Sequence, residues 1–223
     1  MRNKWPLKAM PVVLMALLAF RGALVSGQGG DRIEFSADDT STEFVDKGVV
    51  KRYSGNVVAK SSDMELRSQD AVYDSRSGET RLYGSTTLKD SVRTIWADTL
   101  IYYDRTREAV ARGNVRGEEK ARSFRAGWVR YRRGLRLLEG FDGVTVKDDS
   151  LRSSVTGLAM AFNDSTRDGK VTGMPSLVRE DDQGVIITLT AADTILVFQK
   201  EKTARIWNNV EVRRDSMRAV SAT

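Results

Sequence analysis

The stretch GSTTLKDSVRTIWADTLIYYDRTREAVARGN, residues 84–114, sets the reading of the whole chain, because its pattern returns on both sides at nearly constant spacing. Ile95 and Ala97 alternate, Asp98 and Thr99 intervene, and Leu100 and Tyr102 alternate in the opposite phase. A strand sends successive side chains to opposite faces. Ile95, Ala97, Leu100 and Tyr102 can therefore share one face only if the chain bends or bulges at Asp98–Thr99. The segment reads as a strand, a bend and a second strand. The charged run from Asp104 to Glu108 then makes a hairpin loop, Ala109 to Arg112 returns as a strand, and Gly113–Asn114 is read as a turn that opens the next unit.

The same marks recur along the chain. Tyr73, Tyr102 and Phe162 each lie eleven residues before a glycine (Gly84, Gly113 and Gly173), and Val197 lies eleven before Asn208. Tyr131 and Gly140 are nine apart, which reads as a hairpin shortened by two residues. Five residues before each mark stands a small residue: Ser68, Ala97, Ala126, Gly157 or Ala192. Apolar residues flank these positions, with Leu66, Ile95, Phe124 and Val155 on one side and Leu100, Val129, Met160 and Ile195 on the other. Self-similarity with a period of roughly 27 to 35 residues is the signature of a stacked, repeat-built architecture. Beyond residue 30 the apolar residues come in short alternating runs separated by Gly, Asn, Asp and Ser, so the expected class is all-β. In residues 33–60 the Ala37–Asp38 pair falls two positions early, as suits an irregular capping unit. At the other end, Arg214 to Thr223 aligns with the start of a further unit. The final edge is therefore expected to be half built, and open to completion by another strand.

Composition narrows the function. Residues 1–27 read as a signal peptide: Arg2, Lys4 and Lys8 precede an apolar run from Ala9 to Phe20, with Val25 and Gly27 placed for cleavage before Gln28. That segment holds four of the 36 basic residues and no acidic one. The remaining 32 basic residues face 30 acidic ones, so the formal charge of +6 is poor evidence for a nucleic-acid partner. Cysteine and histidine are both absent, which removes disulfides, thiolate metal sites and the commonest general base and metal ligand. The expectation is a non-enzymatic protein without cofactor or metal. The Asp–Ser pairs at 90–91, 149–150 and 215–216 follow the repeat and read as turn residues, and residues 163–169 read as a plain hairpin rather than a calcium loop.

The string ADTLIYYDRTREAVARGNV, with its neighbour SQDAVYDSRSGETRLYGS, resembles the OstA-like family: the LptA/LptC group and the amino-terminal domain of LptD. The resemblance is carried by Ala97, Asp98, Leu100, Tyr102, Gly113, Asn114 and Val115, and more loosely by Ala71, Tyr73, Gly84, Ala126, Val129 and Tyr131. It covers about residues 31–223, while Gly127 and Leu158 stand where the pattern has Asp. It implies one OstA-like domain over residues 31–223, an open β-jellyroll of two antiparallel sheets folded like a taco around an apolar groove. It also implies a periplasmic protein that passes lipopolysaccharide acyl chains towards the outer membrane. The partners it implies are other OstA-like domains, an outer-membrane translocon or further copies of the chain, joined by strand-edge pairing, with no nucleic acid.

Under that reading Leu66, Tyr73, Ile95, Leu100, Tyr102, Phe124, Val129, Tyr131, Val155, Met160, Phe162 and Ile195 form ladders along a shared interior that either fills a dry core or lines a lipid groove. The small residues in each unit are taken to leave room inside. Arg130, Arg132, Arg133 and Arg136, within the basic run from Arg116 to Arg136, are candidate contacts for anionic head groups, or else a solvated hairpin face. The alternative function is a ligand-free β-solenoid scaffold that polymerises edge to edge.

Overall fold

The computed structural model describes residues 33–198 and 203–221; the expected signal peptide and Ala222 lie outside the described residues. The described residues are mostly antiparallel β-structure. Among the described residues no helix is long and apolar enough to cross a membrane. Long strands alternate direction through β1 (Glu34–Ser36), β2 (Asp39–Val45), β3 (Gly48–Lys60), β4 (Met64–Asp74), β5 (Glu79–Asp90), β6 (Thr94–Tyr103), β7 (Glu108–Glu119) and β8 (Arg122–Arg132). Short ones follow: β9 (Leu137–Phe141), β10 (Val144–Asp148), β11 (Ser153–Gly157), β12 (Ala159–Asn163), β13 (Asp168–Thr172), β14 (Ser176–Glu180), β15 (Ile186–Thr190), β16 (Thr194–Phe198), β17 (Thr203–Trp207), β18 (Val210–Arg214) and β19 (Met217–Ser221).

All of these belong to one continuous sheet, not to two separate ones. The sheet is creased along a single line. Where β6 meets β7 the register jumps between the pairs Trp96–Arg116 and Thr99–Arg112, and the same jump recurs wherever two long strands from β3 to β8 meet. Later strands break outright at the crease: β8 pairs with β10 on one side of it and with β9 on the other. The bend foreseen at Asp98–Thr99 is thus a bulged corner. Gly113–Asn114, read from sequence as a turn between units, lies inside β7 as the other half of that corner.

The crease has its own chemistry. Two consecutive residues in left-handed conformation occupy it at Gly55–Asn56, Gly84–Ser85, Gly113–Asn114, Asp142–Gly143, Gly173–Met174 and Asn208–Asn209. The first four pairs are spaced by 29 residues, so the fourth unit is not shortened. Gly140, taken as its mark, pairs with Val129 and Met160 inside a flat stretch of sheet, and the corner falls two residues later. Across the crease Asn114 Nδ2 donates to Asp98 Oδ2 at 2.8 Å, and Asn56 Nδ2 donates to Asp38 Oδ2 at 2.7 Å. A Cβ on Gly113, whose φ is 75°, would lie 2.3 Å from Asp98 Oδ2, whereas one on Gly143 meets nothing within 4 Å. Gly113→Ala is therefore expected to lower stability by about 2 to 3 kcal/mol, and Gly143→Ala by only about 1 kcal/mol from its backbone conformation alone. Paired denaturant titrations of the two variants check this.

The crease folds the sheet into two facing halves around one apolar interior, the open jellyroll. The first half ends in the loops at 61–63 and 90–93, and the second ends in the hairpins at 104–107, 133–136 and 164–167. Fully buried side chains from both halves, among them Leu66 and Phe124 from the first and Leu100 and Phe162 from the second, form a single cluster. Phe124 is accommodated by a small residue opposite: it lies over Gly117, where a Cβ would fall 2.2 Å from its ring. Ser68, Ala97, Ala126 and Gly157 sit beside the crease, where the halves converge. They allow the halves to meet there and do not widen the interior.

Candidate functional site

Alternation along each strand decides which side chains turn inward. In β6 Ile95, Leu100 and Tyr102 are buried while Trp96 and Ile101 face out. In β8 Phe124 and Val129 are buried while Arg125 is exposed. The twelve candidates all fall on the interior. Leu66, Ile95, Phe124 and Val155 come from the first half, and Leu100, Tyr102, Val129, Met160, Phe162 and Ile195 from the second. Tyr73 and Tyr131 pack against the same cluster half-buried, nearer the open side. The return strands contribute as much, through Leu82, Leu88, Leu138, Val171, Leu177 and Leu189, none of which was singled out in sequence. Their signal was available in the alternation of β5, β9, β13, β14 and β15.

The four arginine candidates separate. Arg130 Nε and Arg132 Nη2 both donate to Glu139 Oε2, at 2.9 and 2.8 Å, so these two are held on the second half away from any opening. Elsewhere Arg116 turns outward over the Trp96 ring, as does neighbouring Arg112 over that of Trp128, which stacks on Phe141, whereas Arg122 lies on the inward phase of β8 and pairs with the buried Asp148 at 2.6 Å. Arg133 and Arg136, by contrast, flank the short 3-10 turn at Arg133–Leu135, at the rim of the open side.

There the free ends of the two halves meet in a cleft of about 360 Å³. Its floor is apolar, formed by Met64, Leu88, Tyr102 and Ala109, and its walls carry Arg107, Arg133 and Arg136 against Asp63 and Asp90. Two ion pairs cross it. Arg133 pairs with Asp63 on the opposite half, and beneath them Arg93 Nη2 donates to Asp164 Oδ2 at 3.0 Å, with both side chains 2% exposed. Tyr131 completes the lower contact: its hydroxyl donates to Asp164 Oδ2 at 3.4 Å, and its ring centroid lies 5.4 Å from the Arg93 guanidinium carbon. Asp90 steadies Arg93 from its own loop, accepting from the Val92 and Arg93 amides at 2.7 Å each. Burial pushes the Asp164 carboxyl above its ordinary range against the pull of Arg93. Burial likewise drives the Tyr131 phenol up to about 12.

None of Arg93, Asp63 or Asp164 was a sequence candidate. The hairpin around 163–168 was read correctly as a turn, in which Asn163 Oδ1 accepts from the Ser165 and Thr166 amides, yet its Asp164 reaches across the opening. Among the described residues no group of three or more carboxylates could hold a metal ion. The Asp–Ser pairs lie in turns: Asp90 opens the 91–93 loop, Asp149–Ser150 form a 3-10 turn, and 215–216 join β18 to β19. The arrangement sets an apolar floor beneath a rim of charged side chains.

No protein-family model and no curated protein sequence matches the chain. Among solved structures it is similar to LptH of Pseudomonas aeruginosa, described as the LptA homologous periplasmic component of the conserved lipopolysaccharide transport device. The identity is 17%, the TM-score is 0.41, and the match covers 46% of this chain and 76% of that one.

Proposed function

We propose that the chain is a periplasmic lipopolysaccharide-binding bridge that takes part in outer-membrane assembly by burying acyl chains between its two half-sheets. One observation carries the reading: the interior reaches the surface along the open side, where Met64, Leu88, Tyr102 and Ala109 floor a cleft rimmed by charge. Among the described residues the halves are joined by backbone only at the crease, so the opposite side is held there by side chains and can part without breaking a strand ladder. Burying a dozen acyl carbons would contribute about 10 kcal/mol before the costs of ordering, which is ample for capture without polar chemistry. The OstA-like repeat pattern points the same way. The partners are other OstA-like domains, an outer-membrane translocon or copies of the chain, joined by strand-edge pairing.

A second reading, a ligand-free scaffold, is favoured by the tight seating of Phe124 on Gly117. Every described ladder is antiparallel, so such a scaffold would be built from rolled sheets and not from a parallel coil. Delipidated protein titrated with fluorescent lipopolysaccharide separates the two. Saturable binding, competed by unlabelled lipopolysaccharide, is expected of the bridge. Filaments that form without any lipid uptake would establish the scaffold instead.

A further inference from the structure

We infer that the cleft is the side entrance of the interior for an acyl amphiphile with an anionic head, and that Arg93, Tyr131 and Asp164 form its gate. This deepens the lipid-bridge reading and rests on it. The geometry assigns each residue a task. Arg93 and Asp164 stand 71 residues apart in sequence and on opposite halves, yet their side chains, each 2% exposed, meet at 3.0 Å. A buried pair of this kind gains little net stability, because desolvation of both charges offsets their attraction. It does hold the two halves in one relative position over the interior.

The rim above the pair is cationic in the right place. Asp63 is engaged by Arg133, and Asp90 and Asp164 by Arg93, whereas Arg107 and Arg136 line the same cleft with no ion-pair partner among the described residues. A phosphate or carboxylate head arriving at the mouth meets these two guanidinium groups first. From there it is positioned to take the place of the Asp164 carboxylate on Arg93 and on the Tyr131 hydroxyl, in hydrogen bonds of the same charge-assisted type. Once Asp164 is displaced the deeper of the two ion pairs across the opening is gone, leaving Arg133–Asp63 at the rim, and the acyl chain that follows the head lies against Met64, Leu88 and Tyr102. Asp164 accepts from Arg93 and Tyr131 through Oδ2, while its buried Oδ1 has no hydrogen-bond partner among the described residues.

The full chain contains no cysteine, so paired cysteines can be introduced without background. The test measures the uptake rate of a fluorescent lysophosphatidic acid, of a fluorescent fatty acid, and of an uncharged monoacylglycerol with the same chain. Three proteins are compared: the unmodified chain, Asp164→Asn, and Asp63→Cys/Arg133→Cys closed by a short reducible thiol crosslinker, each checked for its β-sheet circular dichroism. Asp164→Asn should take up both anionic probes about tenfold faster, as for the loss of one charge-assisted contact. The closed crosslink should abolish uptake, and reduction should restore it. Equal uptake by the closed and reduced forms would place entry at the ends of the rolled sheet and overturn the gate. An identical response to the neutral probe would overturn the role of the anion. Failure of every form to bind any probe would instead remove the lipid-bridge reading beneath it.

Discussion

Phe124→Ala is expected to lower the unfolding free energy by about 4 kcal/mol, the upper range for deleting a buried aromatic ring. Phe124 is 2% exposed and lies on Gly117 of the neighbouring strand β7, with which it is paired directly. The loss is large because the site cannot collapse: Gly117 has no side chain to move in, and the backbone on either side is fixed by ladder hydrogen bonds. The companion expectation is a strong coupling. Gly117→Ala in the native background places a Cβ 2.2 Å from the Phe124 ring and should cost about 1 to 3 kcal/mol. In the Phe124→Ala background the same change fills part of the cavity and should cost nothing or stabilise. A double-mutant cycle by urea denaturation measures this directly; additive effects would mean that the ring does not occupy the Gly117 site.

The second large effect lies at the open side. Arg93→Leu leaves the Asp164 carboxylate buried without its cation and should destabilise by about 3 to 5 kcal/mol. Arg93→Leu combined with Asp164→Leu removes both charges and should recover most of that loss, since the pair is isolated from water on both partners. Asp90 survives either change with its backbone donors, the amides of residues 92 and 93. Thermal unfolding of the single and double variants decides. Equal destabilisation by both would mean that packing of the arginine stem, and not the buried charge, is what matters at this position.

Much of this architecture is legible in the sequence. The phase break at Asp98–Thr99 carried the crease, and the alternation around it named interior residues that do share one cluster. The errors had local causes. Gly113–Asn114 read as a turn because two successive left-handed residues serve a hairpin and a bulged corner equally well. Only Asp98, across the ladder, shows which one is present. The fourth unit seemed short because its corner is Asp142–Gly143, with the glycine second instead of first, and Gly140 drew attention as the nearer glycine. Arg130, Arg132, Arg133 and Arg136 looked like one cationic site because they lie close together in sequence. Alternation and Glu139 divide them between the outer surface and the rim. The Arg93–Asp164 contact left no trace in the sequence: an ion pair between residues 71 positions apart depends on how far the sheet rolls, and no local pattern encodes that.

Photo-crosslinking at adjacent positions of β6 tests the central claim most directly, because Leu100 is buried in the interior and Ile101, its neighbour, faces the other way. With a photoreactive amino acid at each position in turn in cells that make lipopolysaccharide, the lipid-bridge reading predicts a lipopolysaccharide adduct at position 100 and none at 101. Adducts at 101 alone, or at neither position while the protein remains folded, would contradict it.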